Sequence, residues 1–187
     1  MIAGPNGAGK STTAPALLRD LLGIREFVNA DAIAQGMSGF DPDAAAIAAG
    51  RAMLRRLTEL SRAGHDFAFE TTLASRSFAP WIARLKADGY AFALVFLWLP
   101  NPEIAIARVA HRVAAGGHDV PVATIRRRFD RGLANFFRLY LPLADSWFLY
   151  DNSAPAASRP IARGSGSTDA DILDEKTWRA LQDRYSR

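Results

Sequence analysis

Short apolar runs alternate along this chain with longer segments in which apolar residues recur every three to four positions. The runs predict strands at residues 26–29, 65–70, 90–99 and 147–151, after an apolar stub at residues 1–3. The periodic segments predict helices at residues 10–22, 41–64, 77–88, 101–117 and 122–140, with a short terminal helix around Trp178. Strands that alternate with helices in this way predict a parallel five-stranded sheet in a three-layer α/β sandwich.

Length and composition favour a single domain spanning residues 1–187. Residues 152–171 are rich in Ser, Pro, Gly and Ala and are expected to form a loop or loose tail. The longest apolar run, residues 90–99, is too short for a membrane span and ends at Pro100, so it predicts a buried strand. Cysteine is absent and nothing at the N-terminus resembles a signal peptide, so we expect a cytoplasmic protein with no membrane partner.

Charge narrows the function only slightly. The chain has 23 basic and 19 acidic side chains, a net charge of +4. Such a modest excess is compatible with phosphate-rich small ligands as well as with nucleic acid.

The strongest motif lies at the start of the chain. Residues 4–11 fit the pattern G-x-x-x-x-G-K-[ST] between the apolar stub and a predicted helix. In this pattern the backbone N–H groups surround phosphates, Lys10 supplies a cation, and the Ser11 hydroxyl reaches Mg²⁺. A turn with no ligand would not require the Gly-Lys-Ser ending. The residues expected to bind ATP are Gly4, Pro5, Asn6, Gly7, Ala8, Gly9, Lys10, Ser11 and Thr12.

Polar residues also follow two predicted strands on the edge of the sheet that carries this loop. Asp31 comes after the second strand and is either a base for an attacking hydroxyl or an N-cap of residues 32–35. Glu70, Thr71 and Thr72 end the next strand, where they suit a sugar or hydrated Mg²⁺. Helix capping would explain the two threonines alone.

Arginines flank a glycine-rich loop at residues 116–121. Arg108 and Arg112 lie four residues apart, a spacing of like charges that favours either a solvated face or an anion between them. In the loop, His118 is either a substrate contact or an inert side chain. Two helices joined by such a loop predict a lid at about residues 108–131 that closes on a transferred phosphoryl group.

The helix after this loop carries further arginines around an apolar stripe. The helical phase places Arg126 at the margin of the stripe and turns Arg127, Arg131 and Arg138 outward. We therefore expect Arg126 to join Arg112 and Lys10 in stabilising the transferred group.

The buried strand at residues 90–99 ends without the carboxylate that motor ATPases carry at this point. Mg²⁺ is therefore expected to be held by Ser11, phosphates and water, with Asp31 or Glu70 acting through its bound water. This pattern disfavours a motor ATPase.

Together these motifs resemble the zeta-toxin family of P-loop kinases, in particular a short bacterial branch labelled "predicted ABC-type ATPase". The resemblance covers about residues 1–153. It rests on residues 4–11, 29–31, 69–72, 97–100, 108–112 and 116–121. It implies a fold similar to nucleoside monophosphate kinases with a helical lid.

The same resemblance implies an activity, namely ATP-dependent phosphorylation of the sugar 3′-hydroxyl of UDP-N-acetylglucosamine, which blocks cell-wall precursor synthesis. In that family's pattern Asp31 matches the base, Glu70 and Thr72 match sugar-site residues, and Arg112 matches the first lid arginine. The second lid arginine has no clear counterpart, since His118 occupies roughly its place. The resemblance also implies an antitoxin protein as a partner.

Two function classes therefore remain at this point. The favoured class is a kinase that acts on a nucleotide sugar or another small hydroxyl substrate, with ATP and Mg²⁺ as cofactors. The alternative is a nucleotide-dependent switch that binds nucleic acid or protein through Arg127, Arg131 and Arg138. Exposed aromatic residues do not alternate with these arginines, so nucleic acid is the less expected partner.

Overall fold

The computed structural model describes residues 1–21, 23–38, 42–154, 158–167 and 169–186. The strands in these segments are β1 (Ile2–Ala3), β2 (Glu26–Val28), β3 (Phe67–Thr71), β4 (Ala93–Trp98), β5 (Ser146–Asp151), β6 (Arg159–Ser165) and β7 (Asp169–Ile172). The helices are α1 (Lys10–Ala14), α2 (Ala30–Met37), α3 (Pro42–Arg62), α4 (Phe78–Ala87), α5 (Pro102–Ala114), α6 (Val122–Asn135) and α7 (Glu175–Tyr185).

The strands form a sheet in the order β2-β3-β1-β4-β5-β6-β7. Strands β2, β3, β1, β4 and β5 are mutually parallel, as the alternation of strands and helices predicted. The short strand β1 pairs with both β3 and β4, and its residues Ile2 and Ala3 are fully buried. The carboxyl ends of β1 and β3 therefore lie side by side, which confirms the α/β class of a P-loop protein.

The predicted loop or loose tail at residues 152–171 is wrong. Strands β6 and β7 add to the sheet in antiparallel pairing, so seven strands replace the expected five. Ile161 and Ala162 are buried, and a side chain at Gly164 would collide with the Asp169 carbonyl. The small residues that predicted a loop instead allow two strands to approach closely.

Two helices continue beyond their α-helical parts. After α1 a π-helical segment runs from Pro15 to Leu21, beginning at the proline whose missing N–H interrupts the hydrogen-bond pattern. After α6 a π-helical segment runs from Phe136 to Tyr140. In it Phe136 packs on Phe96 of β4, with ring centroids 4.9 Å apart. This aromatic contact fixes the C-terminal end of α6 on the sheet.

The terminal helix α7 also packs on the sheet. Trp178 stacks on Trp147 of β5 with a centroid distance of 5.4 Å and an interplanar angle of 4°. Offset stacking of this kind adds to the burial of both rings. Among the described residues, the helices lack the length and apolar character that crossing a bilayer would require.

Candidate active site

The turn between β1 and α1 forms a cradle for an anion. Gly4, Gly7 and Gly9 have positive φ values of 145°, 73° and 80°, which favour glycine. We call residues 4–11 the phosphate loop. A cavity of about 900 Å³ opens on it. The cavity is lined by Asn6, Gly7, Gly9, Lys10, Ser11, Thr12, Thr13, Asp31, Glu70, Arg108, His111, Arg112, Asn152, Ala154 and Ser158.

Lys10 lies inside the phosphate loop, with only 6% of its side chain exposed. Its Nζ donates a hydrogen bond to the Pro5 carbonyl at 2.9 Å and lies 3.6 Å from Glu70 Oε1. Burial lowers the pKa of Lys10, while the negative charges of Glu70 and Asp31 oppose that shift. The ammonium group is thus held ready for an anionic ligand in the loop.

Glu70 joins β3 to the phosphate loop. Ser11 Oγ donates to Glu70 Oε2 at 2.7 Å, and Asn29 Nδ2 donates to the same oxygen at 2.8 Å. A carboxylate therefore lies beside the loop serine at the end of β3, where the sequence predicted that Glu70 would suit hydrated Mg²⁺, and β4 ends without one. Sequence analysis missed Asn29 as a partner of this carboxylate.

These oxygens suit Mg²⁺, which prefers few protein ligands together with phosphates and water. Ser11 and Glu70 would hold the ion. Among the described residues there is no group of three or more His, Cys, Asp or Glu side chains that could hold a metal ion. This arrangement fits an ion that arrives with a nucleotide.

Asp31 lies in the first turn of α2. The N-cap of that helix is Asn29, whose Oδ1 accepts hydrogen bonds from the backbone N–H groups of Asp31 at 2.8 Å and Ala32 at 3.3 Å. The capping alternative for Asp31 is therefore wrong, and its exposed carboxylate lines the cavity. That location keeps Asp31 available as a base.

Thr71 is the last residue of β3 and Thr72 follows it, and neither threonine is in the cavity lining. Thr71 Oγ1 accepts a hydrogen bond from the Leu73 N–H at 3.1 Å, and α4 begins only at Phe78, so Thr71 does not cap that helix. Leu73 is fully buried with a positive φ of 57°, a costly conformation for a non-glycine residue. Asn135 Nδ2 donates to the Leu73 carbonyl at 2.7 Å and stabilises this turn.

Gly132 of α6 packs directly against the Thr72 carbonyl, where an added side chain would collide with the backbone. We expect Gly132→Ala to destabilise the protein by about 1–3 kcal/mol through overpacking. Gly50→Ala is the matched control, because Gly50 lies within α3 with open space around it and alanine should stabilise that helix by up to about 1 kcal/mol. Urea unfolding measures the change in unfolding free energy of both variants. Changes of the same sign would contradict the close packing at Gly132.

The sequence predicted that Arg108 would bind a substrate. In the structure its charged group contacts backbone carbonyls instead. Its guanidinium donates to the carbonyls of Asn152 at 2.8 Å and Ser153 at 2.7 Å, with a longer contact to Gly7 at 3.4 Å. Arg108 lines the cavity, but its guanidinium is occupied by backbone carbonyls beside the phosphate loop, so a direct substrate contact is not supported.

Arg112 lines the cavity one helical turn farther along α5. Its NH2 group donates to the His118 carbonyl at 2.7 Å, so the glycine-rich loop is held to this arginine through its backbone. The His118 side chain lies outside the described cavity lining.

Arg126 lies on the surface, half exposed and ion-paired with Glu103 at 2.7 Å, so the expected site role of Arg126 is not supported. Arg128, two residues farther along α6, is partly buried. Burial lowers the pKa of Arg128, and the negative charge of Asp31 opposes that shift. Arg126 and Arg128 flank the Ile125–Phe129 stripe on opposite margins, and periodicity alone does not distinguish these margins.

Two buried polar atoms of the cavity lining lack a hydrogen-bond partner within the described part of the chain. They are Asn6 Oδ1 and Arg112 Nε. Buried polar groups are nearly always paired, so an unpaired donor beside a phosphate loop indicates a place for an anionic ligand. The cradle, the buried Lys10 ammonium and the Arg112 donor together fit the phosphates of a nucleotide.

Comparison with known proteins agrees with this geometry. The family model described as an AAA domain matches residues 1–139. An uncharacterized protein of Haemophilus influenzae is 29% identical over 126 residues, which cover 67% of this chain and 88% of that protein.

Solved structures share the fold at low sequence identity. A chain of the AvrRxo1-ORF1:ORF2 complex with ATP superposes with a TM-score of 0.72 at 15% identity, covering 96% of this chain and 62% of that chain. A chain of the PezAT chromosomal toxin-antitoxin system of Streptococcus pneumoniae gives 0.63 at 17% identity, covering 98% and 83%. The present chain thus spans about three fifths of the AvrRxo1 chain, and at these identities the likeness shows the fold.

Proposed function

Because the chain belongs to the AAA domain family and carries an intact phosphate loop, we propose that it is an ATP-dependent kinase acting on a sugar hydroxyl. The observation that supports this most is the shared cavity, in which Lys10, Ser11 and Glu70 lie on the nucleotide side and Asp31 faces the same space. A P-loop, an exposed carboxylate and a partly buried arginine, Arg112, in one cavity are the parts that phosphoryl transfer to an alcohol requires.

The acceptor that we propose is UDP-N-acetylglucosamine or a related nucleotide sugar, and the role is that of a zeta-type toxin. The resemblance of residues 29–31 and 69–72 to that family supports the acceptor. The fold shared with a chain of the PezAT toxin-antitoxin system supports an antitoxin partner.

Each residue has a distinct task in this mechanism. The phosphate loop and Lys10 bind and orient the phosphates, and Asp31 accepts the proton of the attacking hydroxyl. Arg112 and Arg128 stabilise the charge that develops on the transferred phosphoryl group. Mg²⁺, when bound at Ser11 and Glu70, would neutralise phosphate charge. Closure of the proposed lid at residues 108–131 would exclude water from the cavity.

Asp31→Asn tests the base directly. The amide keeps the shape and cannot accept the proton, so we expect phosphoryl transfer to fall by roughly 10²- to 10⁴-fold while ATP still binds. Asp171→Asn, at a surface ion pair with Arg163, is the control and should retain full transfer. Single-turnover kinetics and calorimetric ATP binding measure both quantities. Unchanged transfer in Asp31→Asn would remove the base from the mechanism.

The acceptor is tested by ³¹P NMR with ATP, Mg²⁺ and a panel of nucleotide sugars and simple sugars. We expect a new phosphomonoester signal with UDP-N-acetylglucosamine or a close relative. Turnover of ATP without any phosphorylated acceptor would contradict the proposal. Salt-sensitive binding of RNA or DNA by the same preparation would favour the switch instead, because phosphate-driven binding weakens steeply with salt.

A further inference from the structure

Two side chains from different parts of the chain hold the backbone of the phosphate loop at the edge of the cavity. Asn152, the residue after β5, donates from Nδ2 to the Ala8 carbonyl at 2.6 Å. Arg108 of α5 donates to the Asn152 carbonyl at 2.8 Å and contacts the Gly7 carbonyl at 3.4 Å. The phosphate loop, α5 and the end of β5 are therefore connected through backbone carbonyls.

The orientation of the Asn152 amide is also fixed. Ser158 Oγ donates to Asn152 Oδ1 at 2.5 Å, so the oxygen of the amide faces Ser158 and its NH₂ group faces Ala8. A hydroxyl that accepted from this amide instead would leave the Ala8 carbonyl opposite another oxygen. The Ala8 carbonyl can only accept, so it selects this amide orientation, and the Ser158 hydroxyl pairs the remaining amide oxygen.

Close packing leaves little freedom in these contacts. A side chain at Gly9 would lie 2.8 Å from Asn152 Nδ2, and one at Gly7 would lie 2.8 Å from the Ala105 carbonyl of α5. The glycines of the phosphate loop therefore have two structural roles. They permit the positive φ values of the turn, and they let Asn152 and α5 approach the loop backbone closely.

These contacts determine which way the loop peptides point. In a trans peptide the C=O and N–H groups point in opposite directions. When Asn152 holds the Ala8 carbonyl, the N–H of Gly9 is directed to the other side of the peptide. Rotation of this peptide would turn a carbonyl oxygen toward the phosphates, where it would repel them.

We propose that Arg108 and Asn152 are positioning residues that hold the phosphate loop in its nucleotide-binding conformation before the nucleotide arrives. This inference deepens the proposed function and rests on it for the identity of the ligand. Preorganisation of this kind acts on binding of the phosphates, because the ordering cost of the loop is met during folding. It therefore affects ADP and ATP alike.

Arg108 also connects this function to the lid. Arg112 lies one turn farther along the same helix and lines the same cavity. A single rigid helix thus holds the loop that binds the nucleotide and carries the arginine proposed to act on the transferred group. The spacing between Arg108 and Arg112 along the helix axis is set by the pitch of α5.

The proposal is tested by two variants, each of which leaves the charge of the side chain unchanged. Arg108→Lys keeps the positive charge but cannot contact three carbonyls at once, and Asn152→Ala removes the donor to Ala8. We expect each to raise the Kd of ADP about tenfold or more, with a similar rise in the KM for ATP and kcat at saturation within about threefold. Isothermal titration calorimetry with Mg-ADP on the full chain measures the first quantity, and coupled kinetics measure the others.

Arg138→Lys is the matched control, since Arg138 Nε also donates to a backbone carbonyl, that of Tyr185, at 3.0 Å. It should leave the Kd of ADP unchanged. A purely structural role for Arg108 and Asn152 would lower Tm without changing the Kd, and that result would overturn the proposal. Retained ADP affinity with a raised KM for the acceptor alone would overturn it in favour of direct substrate binding by Arg108.

The outcome is distinguishable from failure of the kinase function. A wild-type protein that binds ADP but phosphorylates no acceptor contradicts the proposed activity, while the ADP titrations of the variants still decide the role of Arg108 and Asn152. If one variant does not fold, as judged by circular dichroism, the other decides. Wild-type ADP affinity in the folded variant overturns the inference, and weakened affinity supports it.

Discussion

Replacement of Lys10 by alanine is expected to abolish ATP turnover while the protein remains folded. The Lys10 ammonium is buried in the phosphate loop and lies 3.6 Å from Glu70. Its removal takes away the cation that a water-excluded site uses to stabilise phosphate charge, a loss that exceeds roughly 10²- to 10³-fold for a single such contact. Glu70 keeps its hydrogen bonds from Ser11 and Asn29, so the site stays intact without the lysine.

Lys86→Ala is the matched control for this experiment. Lys86 also donates to a backbone carbonyl, that of Leu143, at 2.6 Å, and pairs with Asp145 at 2.8 Å, but it lies outside the lining of the nucleotide cavity. We expect Lys86→Ala to lower Tm and retain turnover. Steady-state ATPase or kinase assays with thermal unfolding decide between the two lysines. Equal turnover in both variants would exclude the phosphate loop from the reaction.

The phosphate loop was predictable because each of its fixed positions has a local physical requirement. The positive φ values of Gly4, Gly7 and Gly9 follow from the turn itself, and Lys10 begins the helix after it. No long-range information was needed to identify this segment. The same holds for the helix predicted at residues 101–117, where Asn101 caps α5 at the Ile104 N–H and Pro102 opens it.

The partner of Ser11 was harder to predict because it depends on strand order. Glu70 reaches Ser11 because β3 lies beside β1, whereas β4, the strand on the other side, ends without a carboxylate. The order of parallel strands is set by packing of the whole sheet and not by any one strand. The sequence already indicated Glu70 as a group near hydrated Mg²⁺, whereas its direct hydrogen bond with Ser11 depends on this strand order.

In the region after β5, amino-acid composition alone gave the wrong secondary structure. Its Ser, Pro and Gly content predicted a loop, but pairing with the exposed edge of β5 converts residues 159–165 into a strand. Trp147 Nε1 donates to the Gly166 carbonyl at 2.8 Å and so fixes the turn after β6. Tertiary pairing outweighs weak strand propensity here.

The arginines of α6 show why helical phase alone could not settle the site. Arg126 and Arg128 are two residues apart and flank one apolar stripe, so both satisfy the pattern of a marginal position. The side that faces Asp31 depends on how α6 lies across the sheet, which the contact of Gly132 with the Thr72 backbone determines. That contact is visible only in the folded chain.

The largest change in kcat is expected for variants of the arginines near the cavity. Arg112→Ala and Arg128→Ala should each slow phosphoryl transfer more than they weaken ATP binding, because they act on charge that develops in the transition state. Arginines in this position can contribute about 10³- to 10⁵-fold to kcat. Arg112 has a buried Nε without a partner among the described residues, and Arg128 is partly buried near the Asp31 charge.

Arg126→Ala and Arg131→Ala are the matched controls, since Arg126 is ion-paired on the surface with Glu103 and Arg131 is exposed on the same helix. Both should leave kcat within about a factor of two, as surface substitutions usually change stability by less than ~0.5 kcal/mol. Measurement of kcat and KM for all four variants separates the two pairs. A lower kcat in Arg126→Ala without a lower kcat in Arg128→Ala would support the helical phase predicted from the sequence, in which Arg126 is the site residue. A loss confined to Arg131→Ala would favour a binding switch, because Arg131 is the one of these four arginines that the sequence assigned to the outward face.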